Sequence, residues 1–128
     1  MLFRSDAQLM VEHALDVVGR RAVIFIDAAA NDPGRVAWQP VTPAKGGLAV
    51  TSHSCSPAQL LRLVEGTLCA APPPAFLLSV GGHDFELGAP VHDETARALE
   101  LAWRRLLTEL RGLGVVVADD DVAGAPGA

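Results

Sequence analysis

The stretch VIFIDAAA, residues 23–30, decides the fold class of this chain of 128 residues. Its first four residues are apolar and largely β-branched, a run typical of a strand that is buried on both faces in a parallel sheet. The run ends on Asp27, whose carboxylate costs free energy when it is buried without partners. We therefore expect Asp27 to end the strand and to lie where the carboxyl ends of parallel strands form binding sites.

Helical and extended patterns alternate along the rest of the chain. The further predicted elements are a helix over residues 6–18, an edge strand over 35–40, a helix over 57–69, a strand over 75–80 and a helix from His92 or Asp93 to about residue 111. Ser56 and Pro57 provide an N-cap and a first-turn proline, and Gly19 and Gly112 are the expected C-terminal caps. The helical residues expected to face inward are Leu9 (or Met10), Val11, Ala14, Leu15, Val18, Leu60, Leu61, Val64, Leu68, Ala96, Leu99, Ala102 (or Trp103), Leu106 and Leu110.

This alternation predicts an α/β fold built on an open, mostly parallel sheet in three layers, with helices on both faces. The length suits a single α/β domain over residues 1–118. Residues 119–128 are acidic and rich in Gly, Ala and Pro, and we expect a disordered tail there.

Composition excludes several classes of function. The formal net charge of −5 disfavours a nucleic-acid partner, because phosphate binding needs a basic face. No apolar run approaches the roughly 20 residues that span a bilayer, so membrane insertion is not expected. The N-terminus lacks the pattern of a signal peptide, and Cys55 and Cys69 are too few for a disulfide scaffold. These features predict a cytoplasmic protein with reduced thiols.

Asp27 and His53 are the two candidate site residues. His53 lies in the polar stretch TSHSCSP, residues 51–57, directly before the second predicted helix. A carboxylate and an imidazole are good ligands for a divalent transition metal. The alternatives are an aspartate that accepts N–H bonds in a turn and a histidine that lies in a loop or caps a helix. A catalytic metal usually has three protein ligands, so this pair alone does not complete a site.

The remaining candidates have simple structural explanations. They are Cys55, the group His83, Asp84 and Glu86 after the second buried strand, and the helical pair Glu12–His13. We expect Cys55 to be a small, partly buried thiol and Glu12–His13 to face solvent. A solvated loop explains the group at residues 83–86 as well as a site does. The sequence contains no GxSxG elbow, phosphate loop or GxGxxG motif.

Four segments in this order resemble the hydrogenase maturation proteases. They are the helix with Gln8-Leu9 and Glu12-His13, the IDA strand end at residues 26–28, the entry to a helix at residues 52–57, and FELG at residues 85–88. The resemblance covers roughly residues 6–111. Proteins of this family are cytoplasmic endopeptidases that remove a C-terminal extension from the large subunit of nickel–iron hydrogenases after nickel insertion.

The resemblance implies roles for particular residues of this chain. The family's metal-binding aspartate falls on Asp27 and its metal-binding histidine on His53, so both are implied as catalytic and metal-contacting residues. The implied partner is the immature hydrogenase large subunit, which itself supplies the nickel, and no organic cofactor is implied. The implied reaction is metal-assisted hydrolysis of a peptide bond.

The chain departs from the family pattern at its N-terminus. A first strand, a glycine-rich turn of the GNxxxxDDGxG kind and a first helix, which together supply a third, acidic ligand, have no counterpart before MLFRSDAQ at residues 1–8. Three explanations are a misassigned start, a segment supplied by a partner chain, or a trimmed paralogue without activity. The last makes the alternative function a non-catalytic hydrogenase assembly or binding module.

Overall fold

The computed structural model describes residues 9–29, 32–45, 55–83 and 91–115. These residues form a small α/β fold, in agreement with the class that the sequence pattern predicts. The strands are β1 (Val23–Ala29), β2 (Val36–Val41) and β3 (Ala75–Gly81). The helices are α1 (Ala14–Val17), α2 (Pro57–Gly66) and α3 (Asp93–Gly112), with a 3-10 turn over Val11–His13 before α1.

The three strands form one mixed sheet in the order β1-β3-β2. The amide of Val23 donates to the carbonyl of Pro74 over 2.9 Å, so β1 and β3 start side by side and run parallel. The amide of Gly81 donates to the carbonyl of Arg35 over 2.8 Å, so the end of β3 meets the start of β2 and this pair is antiparallel. The prediction that β2 is an edge strand is confirmed within the described residues.

The prediction that β1 is buried on both faces is wrong. Val23, Ile24 and Phe25 are half-buried, Ile26 is 52% exposed and Asp27 is exposed. Within the described residues β1 ends the strand order and has β3 as its only sheet neighbour. An apolar, β-branched run favours a strand, but it does not distinguish a central strand from one at the end of a sheet.

The start of helix α2 is determined by residues 56–59, the N-cap and the first three helical residues. The side chain of Ser56 accepts the Gln59 amide over 3.2 Å, and the Gln59 side chain accepts the Ser56 amide over 2.8 Å. This reciprocal capping box, with Pro57 at the first helical position, satisfies amides that the helix itself leaves unpaired. The helix ends at Gly66, three residues before the predicted end, and Leu68 is 36% exposed rather than inward.

The chain divides into two compact units. The first comprises the residues up to Phe25 together with Pro40–Phe76, and the second comprises Ile26–Gln39 and the residues from Leu77 onward. The buried core of the first unit is Ala14, Val17, Leu60, Leu61, Val64 and Ala75. The buried core of the second is Leu78, Val80, Ala98 and Ala102, with Val36, Trp38, Leu99 and Leu106 packed against it.

The first predicted helix is much shorter than expected among the described residues. Ala14 and Val17 face the core, whereas Leu15 is 71% exposed and Val18 is 39% exposed, so the inward assignment of the last two is wrong. Val18 already has extended backbone angles, and Gly19 follows with φ +76°, the left-handed conformation expected of a glycine that ends a helix.

Helix α3 begins at Asp93, as predicted, but its buried face is partly misassigned. The buried residues are Thr95, Ala98, Ala102 and Leu107, of which the sequence pattern identified Ala102. Leu99 and Leu106, also predicted to face inward, are partly buried and pack against the core. The predicted cap, Gly112, is the last helical residue. The left-handed position belongs to Gly114, with φ +84° and its amide donating to the carbonyl of Arg111 over 3.0 Å.

Candidate functional site

Asp27 lies inside strand β1 rather than at its end, because the strand continues to Ala29. Its side chain is exposed, as are those of Ile26 and Ala28 beside it. A carboxylate is tolerated inside this strand because water solvates it there, which removes the free-energy cost that would have ended a buried strand. Among the described residues no side-chain hydrogen bond or ion pair involves Asp27. Its oxygens are therefore open to a metal ion or to a substrate group.

His53, Asp84 and Glu86 lie outside the described residues. The described chain resumes at Cys55, two residues after His53. The amide of Cys55 donates to the carbonyl of Leu9 over 3.0 Å, and Ser56 begins the capping box of α2. From Cys55 onward the chain is thus held by a backbone hydrogen bond and by a helix cap.

Cys55 fits the predicted role of a small, partly buried thiol. Its side chain packs against the core of the first unit, and this burial raises the pKa of the Cys55 thiol. A raised pKa keeps the sulfur protonated near neutral pH, and the thiolate is the form that attacks electrophiles and binds metals. Cys55 is therefore a structural residue in this arrangement.

Both Glu12 and His13 were predicted to face solvent, and only Glu12 does so. Glu12 is exposed, but His13 is half-buried and its Nδ1 accepts the amide of Met10 over 2.8 Å. The expectation that His13 faces solvent is wrong. Its ring closes the turn that precedes α1, a local hydrogen bond that the helical spacing of the sequence does not reveal.

A second group of ionisable side chains lies where the chain leaves β3 and enters α3. The Nε2 atom of His83 is 3.5 Å from Oε2 of Glu94, and the rings of His83 and His92 have centroids 4.7 Å apart, tilted by 45°. The amide of His83 donates over 3.0 Å to Oγ1 of Thr95, which is 2% exposed. We name His83, His92 and Glu94 the histidine–glutamate cluster.

Sequence reasoning identified His83 as a candidate but not His92, Glu94 or the anchoring Thr95. The available signal was a histidine directly after Gly81-Gly82 at a strand end, together with His92-Asp93-Glu94 at the predicted start of a helix. In α/β folds, ligands bind beyond the carboxyl ends of the strands, near the strand-to-helix connections where these two segments lie. The pattern did not show that the first turn of α3 meets the end of β3.

Two features are absent from the described residues, 9–29, 32–45, 55–83 and 91–115. No three His, Cys, Asp or Glu side chains there are already arranged to hold a metal ion. None of the helices found there has the length and apolar character needed to cross a membrane.

Comparisons with family models, with curated proteins and with solved structures find no match to this chain.

Proposed function

We propose that this chain is an endopeptidase that removes the C-terminal extension of an immature nickel–iron hydrogenase large subunit after nickel insertion. The observation that carries the proposal is the exposed carboxylate of Asp27 in strand β1, at the position to which the family resemblance assigns a metal contact. The proposal extends to the finer architecture, an open, mostly parallel sheet with helices on both faces, and to a cytoplasmic location.

The exposure of Asp27 suits a substrate that brings its own metal. A resident metal is usually enclosed by three or four ligands, whereas a nickel ion held by another protein must be reached from outside. Asp27 projects from a strand whose exposed stretch also includes Ile26, 52% exposed, and Ala28. A folded protein can approach such a surface.

The chemistry assigned to this chain is recognition of the loaded metal followed by hydrolysis. A carboxylate oxygen of Asp27 and the imidazole of His53 would contact the substrate's nickel, and both are ligand types that a divalent transition metal accepts. Nickel supplies Lewis acidity, which polarises a carbonyl or a bound water. The chain's own residues would orient the precursor so that the scissile bond lies beside that metal.

The test is processing of the large subunit in cells that make the precursor but lack its peptidase. The intact chain should convert the precursor to the mature mass, and Asp27→Asn should leave it unprocessed, because an amide is a much weaker metal ligand than a carboxylate. His53→Ala should have the same effect. Asp32→Asn is the matched control, since Asp32 is also an exposed aspartate and its φ of +43° is one that asparagine accepts.

Normal processing by both Asp27→Asn and His53→Ala would contradict the assigned site. An intact chain that leaves the precursor uncut would contradict the peptidase. If the uncut precursor then co-purifies with the chain, the non-catalytic assembly module takes the place of the peptidase.

A further inference from the structure

The histidine–glutamate cluster is held by a buried contact between a strand end and a helix start. His83 follows β3 by two residues, and its amide is bonded to the buried hydroxyl of Thr95 in the first turn of α3. His92 and Glu94 flank the start of the same helix. All three side chains belong to the second unit and come from two adjoining elements. The backbone that carries them is therefore fixed, while the side chains themselves are partly exposed.

The distance between His83 and Glu94 is close to the separation of two ligands on one metal ion. Nε2 and Oε2 are 3.5 Å apart, longer than the usual N–H···O hydrogen bond of about 2.7–3.2 Å. Two ligand atoms, each about 2.0–2.1 Å from a tetrahedral ion, lie about 3.3–3.4 Å from one another. An ion could enter between these two atoms with little movement of either side chain.

His92 is placed to provide a third ligand. Its ring centroid is 4.7 Å from that of His83, and two imidazoles bound to one tetrahedral ion have centroids about 5.1–5.3 Å apart, given metal–nitrogen distances of about 2.0–2.1 Å, so a shift of about 0.5 Å is needed. His92 is the N-cap residue of α3 but makes no capping hydrogen bond with its side chain. The ring is exposed and can rotate towards the other two ligands.

The local charge selects a cation over an anion. A helix N-terminus ordinarily favours anions, but the first turn of α3 already carries the carboxylates of Asp93 and Glu94. A further anion would be repelled by them, whereas a divalent cation would be attracted. Two imidazoles and one carboxylate are a ligand set that suits zinc, nickel or ferrous iron, in contrast to the all-oxygen sets preferred by calcium and magnesium.

We infer that His83, His92 and Glu94 bind a divalent transition-metal ion, with His92 rotating to complete a site that keeps at least one position open. The inference is independent of the proposed peptidase function, because it uses neither Asp27 nor His53. The site forms only when His92 rotates, because no three His, Cys, Asp or Glu side chains among the described residues could hold a metal ion as they lie.

The test is titration of the metal-free full chain with Zn²⁺ by isothermal calorimetry. The intact chain should bind one ion, and so should the double variant Asp27→Ala, His53→Ala. His92→Ala and Glu94→Gln should each weaken binding about 100-fold or more, since loss of a mere supporting contact costs about 10–100-fold. Glu100→Gln is the matched control, because Glu100 is an exposed glutamate of the same helix that pairs with Arg104. Its affinity should equal that of the intact chain.

Cobalt substitution gives a second readout that folding alone does not change. The visible absorption of bound Co²⁺ should appear with the intact chain and disappear with His92→Ala, whose thermal melt should stay the same because the residue is exposed. Absence of stoichiometric zinc binding by the intact chain would overturn the inference. Binding that survives both His92→Ala and Glu94→Gln, or that is lost in the double variant, would overturn it as well.

Discussion

Replacement of Leu60 by alanine tests the packing that holds the first unit together. Leu60 is 0% exposed and lies in α2, one turn after Ser56, whose carbonyl accepts the Leu60 amide over 2.9 Å. The substitution removes three carbon atoms from the core, worth about 2.4 kcal/mol of transfer free energy at about 0.8 kcal/mol each. The cavity left behind raises the total to about 3–5 kcal/mol. At about 4 °C per kcal/mol for a chain of this length, the melting temperature should fall by about 12–20 °C.

Leu15→Ala is the matched control, since it makes the same change in the same unit at a residue that is 71% exposed. Less than a third of that transfer free energy is at stake there, and alanine is the better helix former, so the loss should stay below about 1 kcal/mol. Thermal melts followed by circular dichroism measure both variants. Equal losses for the two, or a loss below about 1 kcal/mol for Leu60→Ala, would refute the assignment of Leu60 to the core.

Four further tests address local features. Ser56→Ala should destabilise the chain by about 1 kcal/mol, and Ser56→Asp should not, because aspartate also accepts the amide that the capping box satisfies; urea unfolding measures both. Thr95→Val should cost about 1 kcal/mol by leaving the partly buried amide of His83 without its acceptor, and Thr95→Ser should restore most of it. Iodoacetamide at pH 8 should label the exposed Cys69 before Cys55, whose thiol pKa is raised by burial. Because burial raises the Cys55 thiol pKa in the folded state, ionisation of this thiol does not lower stability below the unfolded thiol pKa of about 8.5. As the pH rises above that value the free energy of unfolding should fall, and Cys55→Ala should remove this pH dependence.

Local signals with a single physical cause predicted the fold well. The sequence Ser56-Pro57, followed by Gln59, specifies a helix start whatever surrounds it, because the capping bonds are made within four residues. The apolar run before Gly81 likewise gave β3 within one residue of its observed end. The start of α3 at Asp93 is one of the two positions, His92 and Asp93, that the sequence left open, and no side-chain capping bond specifies it.

Features that depend on distant residues were not predictable in the same way. Within the described residues, the exposure of Ile26 and of Asp27 goes with the place of β1 at the end of the strand order, which no local pattern encodes. Leu15 has the right spacing for a core residue, but α1 turns the face that carries Ala14 and Val17 towards the core instead. The meeting of His83 with His92 and Glu94 depends on where α3 packs, so their spacing in the sequence gave no sign of it.

The most direct test of the proposed function is the intact mass of a purified, nickel-loaded hydrogenase large-subunit precursor before and after incubation with this chain. We expect loss of one C-terminal peptide, no loss from the nickel-free precursor, and no loss with the Asp27→Asn variant. An unchanged mass of the nickel-loaded precursor would contradict the proposed function, and so would equal cleavage of the loaded and nickel-free forms.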